Sequence, residues 1–171
     1  MPKTYETIAT TTLTSAASSI SFTSIPATYT DLVIIGVPVA ELNNTIYADW
    51  TFNGSNAADY GRWVWGQAGG SVTYDNRNGN RNRMELDVLE VQNLTSYAFI
   101  INVNDYSNTT TYKNMIGITI NAGMDGTQGF NYAGGMWQST AAVNRVDMLP
   151  NDVTKNWGSG TIVTLYGIKA A

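Results

Sequence analysis

The sequence predicts an all-β protein built as a sandwich of two antiparallel sheets, and three observations lead to this prediction. Only 13% of the 171 residues are charged, so the surface must consist mainly of Thr, Ser, Asn and Gly, which favour strands and turns over helix interiors. Short apolar runs alternate with Gly, Asn and Pro turns, giving about ten candidate strands. No segment shows the periodicity of a long amphipathic helix. One domain of this length has room for a two-layer core.

The first 18 residues are predicted to form an extended arm. Large apolar side chains such as Tyr5 and Ile8 are separated there by runs of Thr, Ser and Ala, so the segment can bury little by itself. It either lies on its own sandwich or reaches a neighbouring molecule, and Tyr5 and Ile8 are candidate partner-binding residues. Residues 19–171 are predicted to form a single β-sandwich domain.

Alternating or continuously apolar segments predict the strands of this domain. Asn78-Gly79 lies between two such segments and is predicted as the tip of a hairpin, because Asn-Gly favours the tight turn of two-residue hairpin loops. The other strands are predicted within residues 19–24, 29–39, 46–53, 60–66, 97–103, 115–120, 130–137, 143–148 and 159–171.

The terminal segment, residues 159–171, is apolar on both of its faces. This is typical of a strand in the middle of a sheet that is covered on both sides. Its expected neighbour is the apolar run Asp31–Val37, so the N- and C-terminal strands should be adjacent, as in jelly rolls. Several other strands also look apolar on both faces. Either loops and arms cover both sheets, or one outer face meets another subunit.

Composition limits the possible functions. The net charge is −4, with a pI of about 4.6, which disfavours a nucleic-acid partner because phosphate binding normally needs a basic surface. No run reaches the length of about 18 apolar residues that a membrane span needs, so no membrane partner is expected. The chain has no Cys and no His, which removes the commonest catalytic groups. The sequence predicts no enzyme, no catalytic residue, no cofactor and no metal site.

One pair of carboxylates is a candidate exception to this prediction. Glu85 and Asp87 share a face at i, i+2, a spacing that a glycosidase pair permits. The solvent face of any charged strand shows the same pattern, and this ordinary interpretation is favoured.

Aromatic side chains form the more distinctive class. Trp63 and Trp65 share one face of a strand, and exposed aromatics of this kind can bind sugar rings. Large aromatics more often fill cores or interfaces, and that interpretation is favoured here. Among the tryptophans, Trp157 is expected to be the most exposed because its neighbours are Asn, Gly and Ser. The alternative carbohydrate-binding set is Trp63, Trp65, Trp137 and Trp157.

Three of the nine basic residues crowd the predicted hairpin: Arg77, Arg81 and Arg83. They could dock on an acidic partner surface through bidentate pairs with carboxylates. They could equally form a solvated tip that keeps a strand edge from aggregating. The sequence leaves both interpretations open.

Several blocks of the chain together resemble small structural proteins from the virions of tailed bacteriophages, common in phages of marine bacteria and cyanobacteria. The similarity covers nearly the whole chain, and residues 40–90 depart most from the pattern. The blocks are residues 4–9, 19–33, 104–113 and 165–171, with sequences TYETIA, SISFTSIPATYTDLV, NDYSNTTTYK and LYGIKAA.

The resemblance implies a non-enzymatic virion protein with a jelly-roll fold, located on the phage particle. Within that class a decoration or cement protein on the exterior of the head is favoured, since the chain is one compact domain without the repetitive shaft of a fibre. The resemblance further implies a homo-oligomer, with a trimer favoured, that binds the major capsid protein or another virion protein. The alternative is a receptor- or carbohydrate-binding module of a tail fibre.

Overall fold

A computed structural model describes residues 4–41, 46–68, 71–85, 96–122 and 128–169. Within these residues the chain forms twelve β-strands and no helix, so no helix of the described part could span a membrane. The strands are β1 (Tyr5–Thr12), β2 (Ile20–Phe22), β3 (Asp31–Val37), β4 (Ala48–Phe52), β5 (Tyr60–Ala68), β6 (Ser71–Arg81), β7 (Met84–Glu85), β8 (Ser96–Asn104), β9 (Lys113–Ala122), β10 (Gln128–Trp137), β11 (Val146–Pro150) and β12 (Ile162–Ile168).

The strands form two antiparallel sheets of unequal size, which confirms the predicted all-β sandwich. The larger sheet has eight strands in the order β1-β12-β3-β8-β9-β10-β5-β6, and the smaller has four in the order β2-β11-β4-β7. The last strand, β12, pairs with β1 on one side and with β3 on the other. Its predicted neighbour, β3, is therefore confirmed, whereas the jelly-roll connectivity is not.

The core lies between the inner faces of the two sheets. Aromatic side chains join the sheets across it: the ring of Trp50 in β4 contacts Phe99 in β8 at 5.6 Å between centroids, and Phe52 contacts Trp137 of β10 at 5.8 Å. Edge-to-face contacts of this kind add to the stabilisation from buried area. Large, rigid rings at these positions set the separation of the sheets.

Part of the arm predicted over the first 18 residues, Tyr5–Thr12, is a strand of the sandwich itself. β1 pairs with β12 on both sides of a register shift at Ile8, and Ile8 and Leu13 are partly buried against the core. Of the two interpretations that the sequence allowed, the described residues follow the one in which the arm lies on its own sandwich.

The predicted hairpin tip at Asn78-Gly79 is wrong. Both residues lie inside β6, which pairs with β5 in antiparallel fashion. Near Asn78 the register shifts, so that Arg62 faces Arg77 while Tyr60 faces Arg81. The Asn-Gly pair is thus accommodated in a bulge, where the extra backbone length is absorbed without turning the chain.

Candidate interaction surface

One outer face of the sandwich is covered by large apolar side chains that are exposed to solvent. It is the side of the eight-stranded sheet that points away from the core. Twelve side chains on it are between 37% and 58% exposed. We call these residues the apolar face: Ile35, Val37, Trp63, Trp65, Ile100, Ile116, Ile118, Ile120, Phe130, Tyr132, Met136 and Ile162.

The apolar face is continuous because its residues lie opposite one another across neighbouring strands. Ile118 in β9 faces Ile100 in β8 on one side and Tyr132 in β10 on the other. The same row continues to Ile35 in β3 and to Trp65 in β5. Side chains directly opposite on one face of a sheet are about 5 Å apart at Cβ and pack together. The row therefore forms a stripe across five strands.

Charge is almost absent from this side of the sheet. Among the described side chains that point outward from β3, β5, β8, β9, β10 and β12, Asp31 alone is charged. Asp31 lies at the very start of β3 and accepts a hydrogen bond from the backbone amide of Asp105 at 2.7 Å. The two basic residues of these strands, Arg62 and Lys113, point inward and are buried.

Lys113 shows how the inward-facing charges are held. Its ammonium group donates to the backbone carbonyl of Thr111 at 2.7 Å. Burial lowers the pKa of Lys113, because the charged form loses hydration in the interior. Lys113 thus stabilises the loop before β9, and its charge is not exposed on the outer face.

The outer face of the four-stranded sheet has a different character, since most of its side chains are polar or charged, with Leu149 as an apolar exception. At its centre the buried carboxylate of Asp147 accepts hydrogen bonds from Ser21 Oγ at 2.6 Å, Thr51 Oγ1 at 3.2 Å and Arg145 Nε at 2.8 Å. These bonds connect β2, β4 and β11. The polar groups at the centre of this face are therefore paired within the chain, as buried polar groups usually are.

Aromatic side chains cluster in one region of the apolar face. The ring of Trp65 stacks on Tyr132 at 5.9 Å between centroids, and Phe130 meets both rings edge-on at 6.0 and 5.8 Å. Trp63 lies on the same face, two residues before Trp65, and is 43% exposed. Two members of the predicted carbohydrate-binding set, Trp63 and Trp65, are thus accessible together.

The other two tryptophans of that set are buried, and the expectation for Trp157 is wrong. Trp137 is 4% exposed and Trp157 is fully buried. The backbone of Trp157 exchanges two hydrogen bonds with Ala17, at 2.8 and 3.0 Å, and also forms a bridge with Ala40. Its polar neighbours in sequence gave no sign of this double pairing, which turns the indole into the core.

The arginines of the predicted docking hairpin are bound to carboxylates of their own chain. Arg81 forms an ion pair with Glu85, and Arg83 lies 3.7 Å from Asp49 and donates to the carbonyl of Pro150 at 3.2 Å. The side chain of Arg77 lies outside the described part. These pairs tie the crossing from β6 to β7 against β4 and β11, so Arg81 and Arg83 already have a structural role.

A shallow cleft of about 420 Å³ lies beside these ion pairs. Its carboxylates, Asp49 and Glu85, face each other across β4 and β7. Each has an arginine beside it, so the pair is neutralised within the chain. Asp87, the proposed partner of Glu85, lies outside the described residues. In the described part of the chain, Asp and Glu side chains form no group able to hold a metal ion.

The two predicted arm residues differ in accessibility. Tyr5 is 55% exposed and packs edge-on against Tyr166 of β12 at 6.3 Å, on the same side of the sheet as the apolar face. Ile8 is partly buried against the core. Tyr5 is therefore available to a partner, while the side chain of Ile8 contributes mainly to packing of the sandwich.

Sequence reasoning did not name the centre of the apolar face, the isoleucines of β8 and β9. The signal was present, since Ile116, Ile118 and Ile120 alternate with Met115, Gly117 and Thr119. A strand that is apolar on both faces is expected to have both faces covered. In this chain the sandwich covers the face with Met115, and the face with the three isoleucines is exposed. Which face stays uncovered depends on the pairing of distant strands.

The chain matches no protein-family model, and no curated protein matches it. Among solved structures it shows a weak likeness to the SPRY domain of human HERC1, with a TM-score of 0.24 and 13% identity over 80% of this chain and 81% of that domain. A second is Scytalido-glutamic peptidase with a peptide-based transition-state analogue, with a TM-score of 0.23 and 12% identity over 91% of this chain and 66% of the peptidase. Neither similarity is strong enough to bear on this chain.

Proposed function

We propose that this chain is a non-enzymatic structural protein of a tailed-phage particle, and that it works by associating with other protein surfaces. The observation that carries the proposed association is the apolar face, which leaves large apolar side chains of six strands in water. The assignment to a phage particle is supported by the sequence blocks TYETIA, SISFTSIPATYTDLV, NDYSNTTTYK and LYGIKAA.

Within the particle, we favour a decoration or cement protein on the exterior of the head. A compact sandwich with one apolar and one polar outer face suits a molecule that contacts protein on one side and water on the other. Binding across several shell subunits stabilises the assembled shell by mass action, because the protein binds the lattice more tightly than its separate parts. The partners would be further copies of the chain and the major capsid protein or another virion protein.

Localisation on purified particles tests this proposal. Antibodies against the full chain, detected by immunogold electron microscopy, should label the head of the phage that encodes it. Removing the protein from the particle should make the head release its DNA at lower temperature, which a dye-accessibility melt measures. Absence of the chain from purified particles would refute the proposal, and labelling restricted to the tail would refute the decoration role.

A receptor- or carbohydrate-binding module of a tail fibre is the second candidate. The cluster of Trp65, Phe130 and Tyr132 favours it, because exposed stacked rings provide flat apolar surfaces for sugars. Binding of the full chain to a glycan array, lost in Trp65→Ala and retained in Tyr112→Ala, would support this function. Tyr112 is a matched exposed aromatic outside the strands, 55% exposed. The absence of glycan binding, together with label on the head, would leave the decoration role in place.

A further inference from the structure

We infer that the apolar face is covered by a second copy of this chain, packed sheet against sheet. The inference deepens the proposed function and rests on its first part, that the chain works by association. It adds which surface makes the contact and what occupies it.

The size of the apolar face is the first argument. With about 200 Å² for the whole surface of a large apolar residue, exposures of 37% to 58% over twelve residues leave on the order of 1,000 Å² in water. The largest apolar patch of a monomeric protein is about 300–600 Å². A stable interface takes about 800 Å² from each partner. The area therefore exceeds what a monomer leaves exposed and suffices for a dimer contact.

The distribution of polar groups is the second argument. Towards the β1 edge of the sheet, the hydroxyl groups of Thr10 and Thr164 are hydrogen-bonded at 3.0 Å. Towards one end of β8 and β9, the amides of Asn104 and Asn114 are hydrogen-bonded at 3.0 Å. An apolar centre bordered by uncharged polar groups is the common anatomy of a protein interface.

The absence of charge identifies the occupant. A partner of different sequence is usually selected by complementary charge, and a membrane surface attracts basic side chains. The apolar face provides neither of these features. A face without charge is complementary to itself, so two copies can pack their sheets about 10 Å apart with interdigitated side chains. The polar outer face of the four-stranded sheet is left outside this contact.

Light scattering on the full chain tests the inference, with substitutions at the centre of the face. Wild type should have about twice the 18.6 kDa chain mass at micromolar concentration. Ile118→Asp places a charge in the middle of the row and should give the mass of a single chain. Val153→Asp changes a residue that is 77% exposed and lies between β11 and β12, away from the apolar face, so this control should keep the wild-type mass.

A milder variant covers the case in which Ile118→Asp does not fold. Ile100→Thr with Ile118→Thr keeps β-branched side chains and removes apolar surface from both central positions, so the dissociation constant should rise about tenfold or more. Cooperative urea unfolding verifies that each variant is folded. A single-chain mass for wild type would overturn the inference, as would a folded double-Thr variant with an unchanged dissociation constant.

Protection from chemical labelling gives a second readout, made possible by a sequence without cysteine. Ile118→Cys should react with maleimide at least about tenfold more slowly than Val153→Cys, since only the former is covered in the assembly. Equal rates would overturn the inference. A wild-type chain that is monomeric yet binds particles would leave the proposed function standing. If the chain forms the oligomer but is absent from particles, the inference stands and the proposed function is refuted.

Discussion

The ring of Tyr29 lies directly against the backbone of Gly167, so that a Cβ at position 167 would overlap the ring. Gly167 is buried in β12, and the Tyr29 hydroxyl donates to Glu6 Oε2 in β1 at 3.1 Å. Lys169 binds the same carboxylate at 3.0 Å and lies 5.3 Å from the centre of the Tyr29 ring. The glycine thus makes room for a side chain that joins the first strand to the last.

Gly167→Ala should therefore destabilise the fold. The added methyl group has to displace the Tyr29 ring or the β12 backbone, which costs about 1–3 kcal/mol of unfolding free energy. Urea denaturation followed by fluorescence measures the change. Gly134→Ala is the matched control in another strand of the same sheet, because a Cβ there meets only Trp63, at 3.9 Å. Equal stability of the two variants would contradict the role assigned to Gly167.

The buried phenol of Tyr60 predicts a loss of stability at alkaline pH. Burial raises its pKa from 10.0 to about 12, so between these pH values the folded chain retains a proton that the unfolded chain releases. The unfolding free energy should be unaffected below pH 10 and should fall through this window by about 2 kcal/mol from this group. Urea unfolding at a series of pH values measures the slope.

Tyr60→Phe separates this effect from other alkaline changes. The Tyr60 hydroxyl accepts from the Phe52 amide at 3.0 Å, so the variant should lose about 1 kcal/mol at neutral pH. Its stability should then fall less steeply above pH 10. Tyr112→Phe, at an exposed site, should keep the wild-type profile. An unchanged slope in Tyr60→Phe would show that another group controls the alkaline loss.

The carboxylate of Asp147 should be the most sensitive position on the outer face of the four-stranded sheet. Asp147→Ala leaves Ser21, Thr51 and Arg145 without their common acceptor. The loss is expected to be about 3 kcal/mol of unfolding free energy, read from the midpoint of urea denaturation. Asp152→Ala removes a carboxylate from a surface loop and should cost less than about 1 kcal/mol. Similar losses in both variants would mean that the network contributes little.

The pairing of the chain ends was predictable from sequence because the apolar character of residues 31–37 and 159–171 singles them out as neighbours in one sheet. The division of the strands into sheets of eight and four was not predictable, since it depends on contacts between distant segments. Trp157 illustrates the difference. Its local neighbours are polar, but backbone pairing with Ala17 and Ala40 buries it.

The candidate interaction surface also depends on contacts between distant segments, which the sequence alone does not reveal. An Asn-Gly pair favours a tight turn, yet β6 continues through Asn78, and the irregularity in its register with β5 lies between Arg77 and Arg81. That continuation places Arg81 and Arg83 next to Glu85 and Asp49. The sequence shows which strands are apolar on both faces. It does not show that these residues form one continuous face across six strands, because that depends on the register of each strand pair.

Deleting residues 1–12 should reduce folding stability, because β1 pairs along all of β12. The deletion removes the packing of Ile8 and leaves β12 as an unprotected sheet edge, which promotes aggregation. We expect a lower melting temperature and increased light scattering on heating. Deleting residues 1–4, which precede β1, should have little effect. Unchanged melting of the longer deletion would instead indicate an arm that serves a neighbouring molecule.

Salt dependence distinguishes association through the apolar face from docking through arginines. Screening at about 1 M salt shortens the Debye length to about 3 Å and weakens exposed charge pairs. Because the apolar face lacks charge, the dissociation constant of the oligomer should stay constant or fall as NaCl rises. A contact made by Arg81 and Arg83 would weaken under the same conditions. Sedimentation equilibrium across a salt series measures the constant, with Arg83→Gln as the control for the charged corner. If salt dissociates the wild-type oligomer but not the Arg83→Gln oligomer, the interface is formed by the arginines and not by the apolar face.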